Sequence, residues 1–404
     1  MNKCRTCGST RLTQLLDLGR LPVAHRFIKS PGGGRDEFMH PMIAHLCEVC
    51  ALIQILDPIP REELYRDYNF CFSAWKPQPH MADEIKRIVG RVGVDSLIVE
   101  LGSNDGVFLN ELKSAGCRRL AGVEPNRAAN AESRKTGASI YEEFFSEDAA
   151  ERIKKDLGPA SLIVSRQAVE HIPDLDGLFA GLRKLVAPKG WLMLEVPDFE
   201  GPLSYGDISG LWEEHVNYFT EATFCDLLER QGFGAIDIVR YPFSGGAIMV
   251  LAQLGAPKNP QRTESIEATK RLALAFAGRA EHFRRSLVGL LEQNRKSGRP
   301  NSFYGTGCRA NMLINAWKLA PLLDVLVDDQ KEKQGYFLPG TSLKVEPSSA
   351  LYGRVGDCFM AVNAENEDKV VARHQDFVSR GGRFLSVNSP SPRLKDLDVS
   401  PLPA

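Results

Sequence analysis

Four cysteines near the amino terminus stand in two C-x-x-C pairs, Cys4-Arg5-Thr6-Cys7 and Cys47-Glu48-Val49-Cys50, with 39 residues (8 through 46) between them. Each pair puts two thiols on one tight turn, and two turns complete the tetrahedral four-sulfur shell that zinc prefers. The long gap costs little, because loop closure grows only with the logarithm of length. Four protein ligands leave no open coordination position, so a zinc held this way is structural and staples a segment too short to have a good core of its own. His25, His40 and His45 lie in the same segment as substitute donors, and four unligated thiols are the alternative.

A second group is Val99-Glu100-Leu101-Gly102-Ser103-Asn104-Asp105-Gly106, followed 22 residues after Gly102 by Glu124-Pro125. Glycine lets the backbone approach a ligand, and a helix start supplies N–H groups. A carboxylate at the end of the next strand can accept both hydroxyls of a ribose. The alternatives are a plain tight turn and a strand-end charge facing water. Together Glu100, Gly102, Asn104, Asp105, Gly106, Glu124 and Pro125 suit an adenosine ligand. The turn lacks the usual G-x-G-x-x-G of dinucleotide enzymes and is similar to that of class I methyltransferases, which use S-adenosylmethionine. Ser165-Arg166-Gln167-Ala168-Val169-Glu170-His171-Ile172-Pro173 resembles the methyltransferase segment beside the methionine part of that cofactor. Gln167 there either bonds the bound amino acid or points to solvent.

The elements that must carry these residues are legible as periodicity. Apolar positions 81, 85, 88, 89 and 92 share a helical face. From residue 96 to 254 short apolar runs (97–101, 120–123, 162–164, 191–196) alternate with helices near 108–114, 178–186 and 222–231, and the runs 235–241 and 247–254 finish a mostly parallel, doubly wound sheet. After the breaker-rich Gly255-Ala256-Pro257-Lys258-Asn259-Pro260 comes a long helix, about 263–296. A second α/β alternation follows, with strands near 302–304, 325–327, 358–362 and 384–387. Pro31-Gly32-Gly33-Gly34 reads as a loop between short hairpins, and residues 389–404 as an extended tail. The expectation is an α/β chain of three domains: a zinc lobe (1–75), a Rossmann-like cofactor domain (76–256) and a second Rossmann-like substrate domain (257–404).

Four further stretches point to one family. These are Leu16-Asp17-Leu18-Gly19-Arg20-Leu21-Pro22, the E-x-G-S-N-D-G turn, Trp212-Glu213-Glu214-His215-Val216-Asn217-Tyr218-Phe219, and Asp328-Asp329-Gln330-Lys331-Glu332-Lys333-Gln334-Gly335-Tyr336-Phe337-Leu338-Pro339-Gly340. The chain resembles, over nearly its whole length, the zinc-containing sugar C-methyltransferases that act on nucleotide-linked 4-keto deoxysugars. Carbon is a poor nucleophile until a neighbouring proton leaves, and an adjacent ketone stabilises the enolate, so the chemistry needs a base. The resemblance implies His215 as that base and Glu214 as its supporting carboxylate, with His171 a second candidate; the alternative for His215 is a cap on the helix that starts near Thr220. It further implies substrate contacts at Tyr65, Tyr68, Trp212, Tyr218, Gly305, Gly307, Arg309 and Asp328. Trp212 stands where the family tends to have tyrosine. The segment Tyr65-Arg66-Asp67-Tyr68-Asn69-Phe70-Cys71-Phe72-Ser73-Ala74-Trp75 keeps only two tyrosines, which points to a different sugar, carbon position or acceptor.

Tyr304-Gly305-Thr306-Gly307-Cys308-Arg309-Ala310 matches G-x-G-x-x-A, with Asp328 23 residues beyond Gly305. Three readings stay open for it: a substrate diphosphate, a structural remnant, or a nicotinamide cofactor, which would make the chain an oxidoreductase. A non-catalytic relative that keeps the fold is a further alternative. Fifty Lys and Arg against 51 Asp and Glu give no global field for nucleic acid or anionic lipid, and no run reaches the length of a membrane span. Nine cysteines with no export signal argue against a disulfide framework and for a cytoplasmic protein, with a monomer plausible and oligomeric state unassigned.

Overall fold

A computed structural model of the chain describes residues 2–30, 37–64, 78–257, 259, 261–389 and 391–397. Pro31-Gly32-Gly33-Gly34, Tyr65, Tyr68 and the rest of their aromatic segment lie outside the described residues. The chain forms two compact units that exchange segments: Met1–Arg11, Arg61–Asp198 and Val216–Ile266 make the first, and Leu12–Pro60, Phe199–His215 and Glu267–Ala404 the second.

The strands in chain order are β1 (Leu12–Pro22), β2 (Met39–Cys47), β3 (Ile53–Ile55), β4 (Leu97–Leu101), β5 (Arg119–Val123), β6 (Ser139–Tyr141), β7 (Ala160–Arg166), β8 (Val186–Pro197), β9 (Asn217–Tyr218), β10 (Phe233–Tyr241), β11 (Ala247–Leu254), β12 (Asn301–Tyr304), β13 (Val325–Val327), β14 (Val345–Glu346), β15 (Asp357–Met360) and β16 (Arg383–Ser386).

The first unit is built on a seven-stranded sheet in the order β10-β11-β8-β7-β4-β5-β6. The pairs from β8 to β6 are parallel, and β11 runs antiparallel to both β8 and β10. β4 is buried at every residue because helices cover both faces, so it reads as a continuous apolar run with one carboxyl, Glu100, set into it. The helix Met81–Val92 packs Met81, Ile85 and Ile88 into a core shared with Phe108, Leu109, Leu112, Leu162 and Met249. Among the elements that escaped the periodicity are the helices Arg127–Ser133 and Glu147–Leu157 and the strand Ser139–Tyr141. Arg127–Ser133 is only seven residues long and Glu147–Leu157 buries little beyond Ala149, Ala150 and Ile153, so their caps mark them more plainly than apolar spacing does. Asn126 accepts from Ala128 N–H and Ala129 N–H, and Ser146 from Ala149 N–H.

The second unit pairs β1, β2 and β3 as an antiparallel meander, with register shifts in β1 between Gln14 and Leu16 and between Asp17 and Arg20. Its other sheet is five-stranded and parallel, in the order β14-β13-β12-β15-β16. Ala273, Phe276, Ala280, Phe283, Leu287 and Leu291 recur at three- and four-residue spacing along one buried face of the helix Arg262–Ser297. The tail expected to be extended instead winds at Pro392–Leu397 into a 3₁₀ turn. Ser391 nucleates it, its hydroxyl accepting from Arg393 N–H and donating to Glu367. Among the described residues no helix is long and apolar enough to cross a membrane.

Candidate functional site

The two C-x-x-C segments fold into the same turn. In the first unit Gly8 N–H donates to Cys4 C=O and Cys4 N–H to Ser9 C=O, each at 2.9 Å, with Gly8 at φ +71°. In the second unit Ala51 N–H donates to Cys47 C=O and Cys47 N–H to Leu52 C=O, again each at 2.9 Å, with Ala51 at φ +59°. An alanine held in the left-handed region is strained, which is the mark of a turn built for its ligands rather than for chain economy. Cys4, Cys47 and Cys50 are buried, and Cys7 half-buried. Four soft thiols on preformed turns fit zinc, and Cys4, Cys7, Cys47 and Cys50 would hold it.

In the first unit the turn after β4 places Gly102 at φ +73°, Asn104 at +46° and Gly106 at +79°. A Cβ on Gly106 would meet the Ser133 Cα at 2.8 Å, and one on Gly122 would meet Ser103 Oγ at 2.5 Å, so the backbone here is pressed closer than any side chain allows. Glu124 at the end of β5 accepts Asn104 N–H at 3.0 Å on one oxygen and Asn126 N–H at 2.7 Å on the other. That leaves about two of its roughly four acceptor positions for ribose hydroxyls. Burial raises its pKa, against the pull of those two N–H groups. Burial also pushes Glu100 up to about 8, with Glu124 and Asp105 adding to the rise and Arg166 opposing it. Glu100 Oε2 is buried with no hydrogen-bond partner among the described residues, an orphaned polar atom of the kind a bound ligand satisfies. These features fit the cofactor. Asp105 is buried beside the turn and Pro125 is exposed.

Gln167, after β7, does not point to solvent: it sits at φ +50° and its amide donates to Glu195 Oε1 at 2.9 Å. His171 is half-buried, its Nε2 3.8 Å from Glu170 Oε1, and burial holds the Glu170 carboxyl well above the usual range. Tyr218 is buried in β9. The helix Glu221–Arg230 is capped by Thr220 and Thr223 in a reciprocal box, which removes the capping alternative for His215.

In the second unit the segment 212–215 is held by its carboxylates. Glu213 accepts Ala24 N–H at 2.7 Å, and Glu214 Oε1 lies 3.2 Å from His25 Nδ1. Burial, then the neighbouring Glu214 charge, pushes Glu213 up to about 7. The buried His215 ring lies 4.0 Å from that of Trp212, and the Arg309 guanidinium sits over Trp212 at 5.8 Å. Burial and then Glu214 and Glu213 raise the Cys308 thiol, which marks those carboxylates as neighbours of the helix Cys308–Ala316. The structure thus joins two groups that the sequence separates by almost a hundred residues, Trp212-Glu213-Glu214-His215 and the Gly305–Gly307 turn with Arg309. Asp328 is drawn into the turn itself. One of its oxygens accepts Thr306 N–H at 2.9 Å and the Thr306 hydroxyl at 2.6 Å, with Lys333 Nζ at 3.6 Å, while the other accepts Gln330 N–H at 2.9 Å.

Sequence reasoning missed His25 as the partner of Glu214, and missed the buried His80, Glu84 and Glu195 around Arg166. A lone histidine in a cysteine-rich segment carries no signal of its own. Arg166 and Glu195, charges at the ends of otherwise apolar strands, were the only hint.

Three family models match in succession: a zinc binding domain over residues 4–65, a methyltransferase domain over 75–238 and a C-methyltransferase C-terminal domain over 242–387. The C-methyltransferase NovU of Streptomyces niveus is 27% identical over 408 residues, covering 98% of this chain and 97% of NovU. Among solved structures, an S-adenosylmethionine-dependent methyltransferase from Mesorhizobium loti is 14% identical, covering 42% of this chain and 96% of that one at a TM-score of 0.33. The 1,6-didemethyltoxoflavin-N1-methyltransferase of Burkholderia thailandensis, solved with S-adenosylhomocysteine, is 13% identical and covers 53% of this chain and 96% of that one at 0.38. The consecutive family matches and the full-length relative agree with the chemistry of the Gly102 turn: the chain is an S-adenosylmethionine-dependent methyltransferase, similar in its amino-terminal segment to a zinc binding domain and along its length to a C-methyltransferase.

Proposed function

We propose that the acceptor is a keto deoxysugar linked to a nucleoside diphosphate, methylated at the carbon beside its ketone. The observation that carries this is the cluster in the second unit, where His215 and Glu214 share one buried patch with Trp212 and Arg309. A base, a flat apolar wall and a fixed cation suit a sugar ring next to an anionic diphosphate. The helix Cys308–Ala316 starts at Gly307 without a side-chain cap, so its first N–H groups are available to phosphate oxygens.

His215 would take the proton from the carbon beside the ketone, leaving its electron pair in the enolate. S-Adenosylmethionine, when bound, would supply the electrophilic methyl to the enolate carbon, the S–CH3 pair of electrons staying on S-adenosylhomocysteine as the leaving thioether. Glu214, anchored by His25, would favour the protonated imidazole that forms, and Trp212 would fix the ring and exclude water. His171 remains the second candidate base. Gly102, Asn104, Asp105, Gly106 and Glu124 would hold the adenosine, with Glu100, Pro125 and Gln167 lining the same site. Tyr218, Gly305 and Gly307 are proposed substrate contacts, and Asp328 acts by fastening the turn. In this reading residues 1–75 are the zinc lobe, 76–256 the cofactor domain and 257–404 the substrate domain.

The oxidoreductase reading is disfavoured by Asp328, one of whose oxygens is filled by the N–H and hydroxyl of Thr306, so that it cannot offer both oxygens to the hydroxyls of a dinucleotide ribose. The test is incubation with labelled S-adenosylmethionine and a panel of nucleotide-linked 4-ketosugars, reading methyl transfer by mass and exchange of the α proton with deuterated solvent. His215→Ala is expected to abolish both. Exchange at the wild-type rate in His215→Ala would remove His215 as the base, and no transfer to any ketosugar would remove the substrate class.

A further inference from the structure

Arg166 closes β7 inside a cluster that the reaction described above does not use. His80, Glu84, Arg166 and Glu195 are all less than a tenth exposed. Arg166 Nε lies 2.9 Å from Glu84 Oε2, and one terminal nitrogen donates to Gln78 Oε1 at 2.5 Å. The same nitrogen lies 3.2 Å from His80 Nε2 and 3.8 Å from Glu195 Oε1. His80 Nε2 is 3.0 Å from Glu195 Oε2, and burial, then the neighbouring Glu195 charge, holds the Glu84 carboxyl well above the usual carboxylate range. The guanidinium also lies over the Phe108 ring at 4.6 Å. His80, Glu84 and Glu195 have the donor types of a metal site, but the guanidinium fills the space a cation would take and neutralises the remaining charge.

A buried ionic cluster of this kind is a poor source of stability, since desolvation consumes most of its Coulomb energy, so what it fixes in place matters more. It fixes the Gln167 loop. Gln167 has φ +50°, a conformation that its own side chain disfavours. Its backbone N–H donates to Glu195 C=O at 2.9 Å and its side-chain amide to Glu195 Oε1 at 2.9 Å. The next residue, Ala168, presses its Cβ to within 3.4 Å of where a Cβ on Gly102 would stand, so this loop lies directly against the cofactor turn.

We infer that Glu195 is a positioning residue for cofactor binding: it holds the Gln167 loop in its strained shape, and Arg166, Glu84 and His80 clamp Glu195. The inference rests on the reading that Gln167 faces the methionine end of the cofactor. It is tested on the full-length zinc-loaded protein by calorimetric titration with S-adenosylhomocysteine, using Gln167→Ala, Glu195→Gln, their double variant and Glu84→Gln, each first checked for a cooperative melt.

Gln167→Ala and Glu195→Gln should each weaken binding about tenfold, the worth of one charge-assisted contact. The double variant should bind no more weakly than the weaker single, because both act through one loop. Glu84→Gln, which keeps the shape and neutrality of a protonated carboxyl, should stay within about twofold. Losses that multiply in the double variant, or wild-type affinity in a folded Glu195→Gln, overturn the inference while leaving Gln167 as a cofactor contact. Wild-type affinity in Gln167→Ala removes that contact, and the inference with it. If Glu195→Gln does not fold, Glu195→Asp retains the charge but withdraws it from Gln167, and the same cycle is read with it.

Discussion

At the Gly102 turn of the first unit, Glu124 gives one oxygen to Asn104 N–H and the other to Asn126 N–H and keeps acceptor capacity on both. At the Gly305 turn of the second unit, Asp328 gives a single oxygen to both the N–H and the hydroxyl of Thr306 and the other to Gln330 N–H, so it keeps acceptor capacity on one oxygen only. Both turns follow a strand, open a helix and sit opposite a carboxylate some twenty residues on, which is why both read as nucleotide sites in the sequence. The difference lies in which groups are left over. Around the first turn Glu100 Oε2 has no partner among the described residues and Glu124 keeps acceptor positions, which suits hydroxyl and ammonium donors. Around the second the groups left over are the N–H groups of an uncapped helix start with Arg309 nearby, suited to an anion.

The sharpest way to break this contrast is to remove each carboxylate and titrate with S-adenosylhomocysteine. In the proposed site Glu124→Ala would remove two hydrogen bonds to the ribose at about 1.5 kcal/mol or more each, so affinity should fall roughly a hundredfold. Asp328→Ala should leave it within about twofold, because its carboxylate serves its own turn. Equal losses from the two variants would mean that the turns are not specialised as described.

The glycines give a second, smaller contrast. Alanine at Gly106 must adopt φ +79° and put a methyl group 2.8 Å from the Ser133 backbone, with no flexible side chain to yield. The expected destabilisation is about 2–3 kcal/mol by urea unfolding. Alanine at Gly307 meets nothing within 4 Å at an ordinary φ of −73° and should cost within about 0.5 kcal/mol. A silent Gly106→Ala would remove the steric reason for glycine at the cofactor turn.

How far these features can be read in advance depends on whether the signal is local. The inner strands of the seven- and five-stranded sheets were legible because strands covered on both faces become unbroken apolar runs, whereas the short edge strands Ser139–Tyr141 and Val345–Glu346 were not, and the grouping of Gly102, Gly106 and Glu124 was legible because a turn, a helix start and the next strand end lie close together in sequence. The helices Arg127–Ser133 and Glu147–Leu157 were not, since each buries a narrow, alanine-rich face and is marked mainly by a cap, and Ser146 or Asn126 looks like any other polar loop residue. Pairings over long separations were invisible for another reason. His25 meets Glu214, and Arg309 meets Trp212, only after strands and helices have been threaded, and nothing in the composition of either partner announces the other. The commitment of Asp328 to Thr306 falls between these cases: the spacing found the residue, but hydrogen-bond accounting was needed to see that it serves the turn.

The smallest expected effect concerns Glu100, whose carboxyl is buried in β4 beneath the cofactor turn and pushed up to about 8 from an ordinary 4.5 by burial, with Glu124 and Asp105 adding to the rise. A raised carboxyl pKa means that the folded chain binds this proton more tightly than the unfolded one. The associated stability is complete below about pH 4.5 and is lost as pH rises through the folded value near 8. Glu124, raised in the same direction by burial, adds to the slope. Glu100→Gln cannot ionise, so its stability relative to wild type should rise between pH 5 and pH 8. Relaxation and water entry should reduce the effect to about 1 kcal/mol. Melting temperatures of the two proteins measured across that range at fixed ionic strength give the sign directly. A difference that stays flat, or that falls towards pH 8, would mean that Glu100 is charged and partnered in the folded chain, and that the cofactor turn offers no orphaned carboxyl group to a ligand.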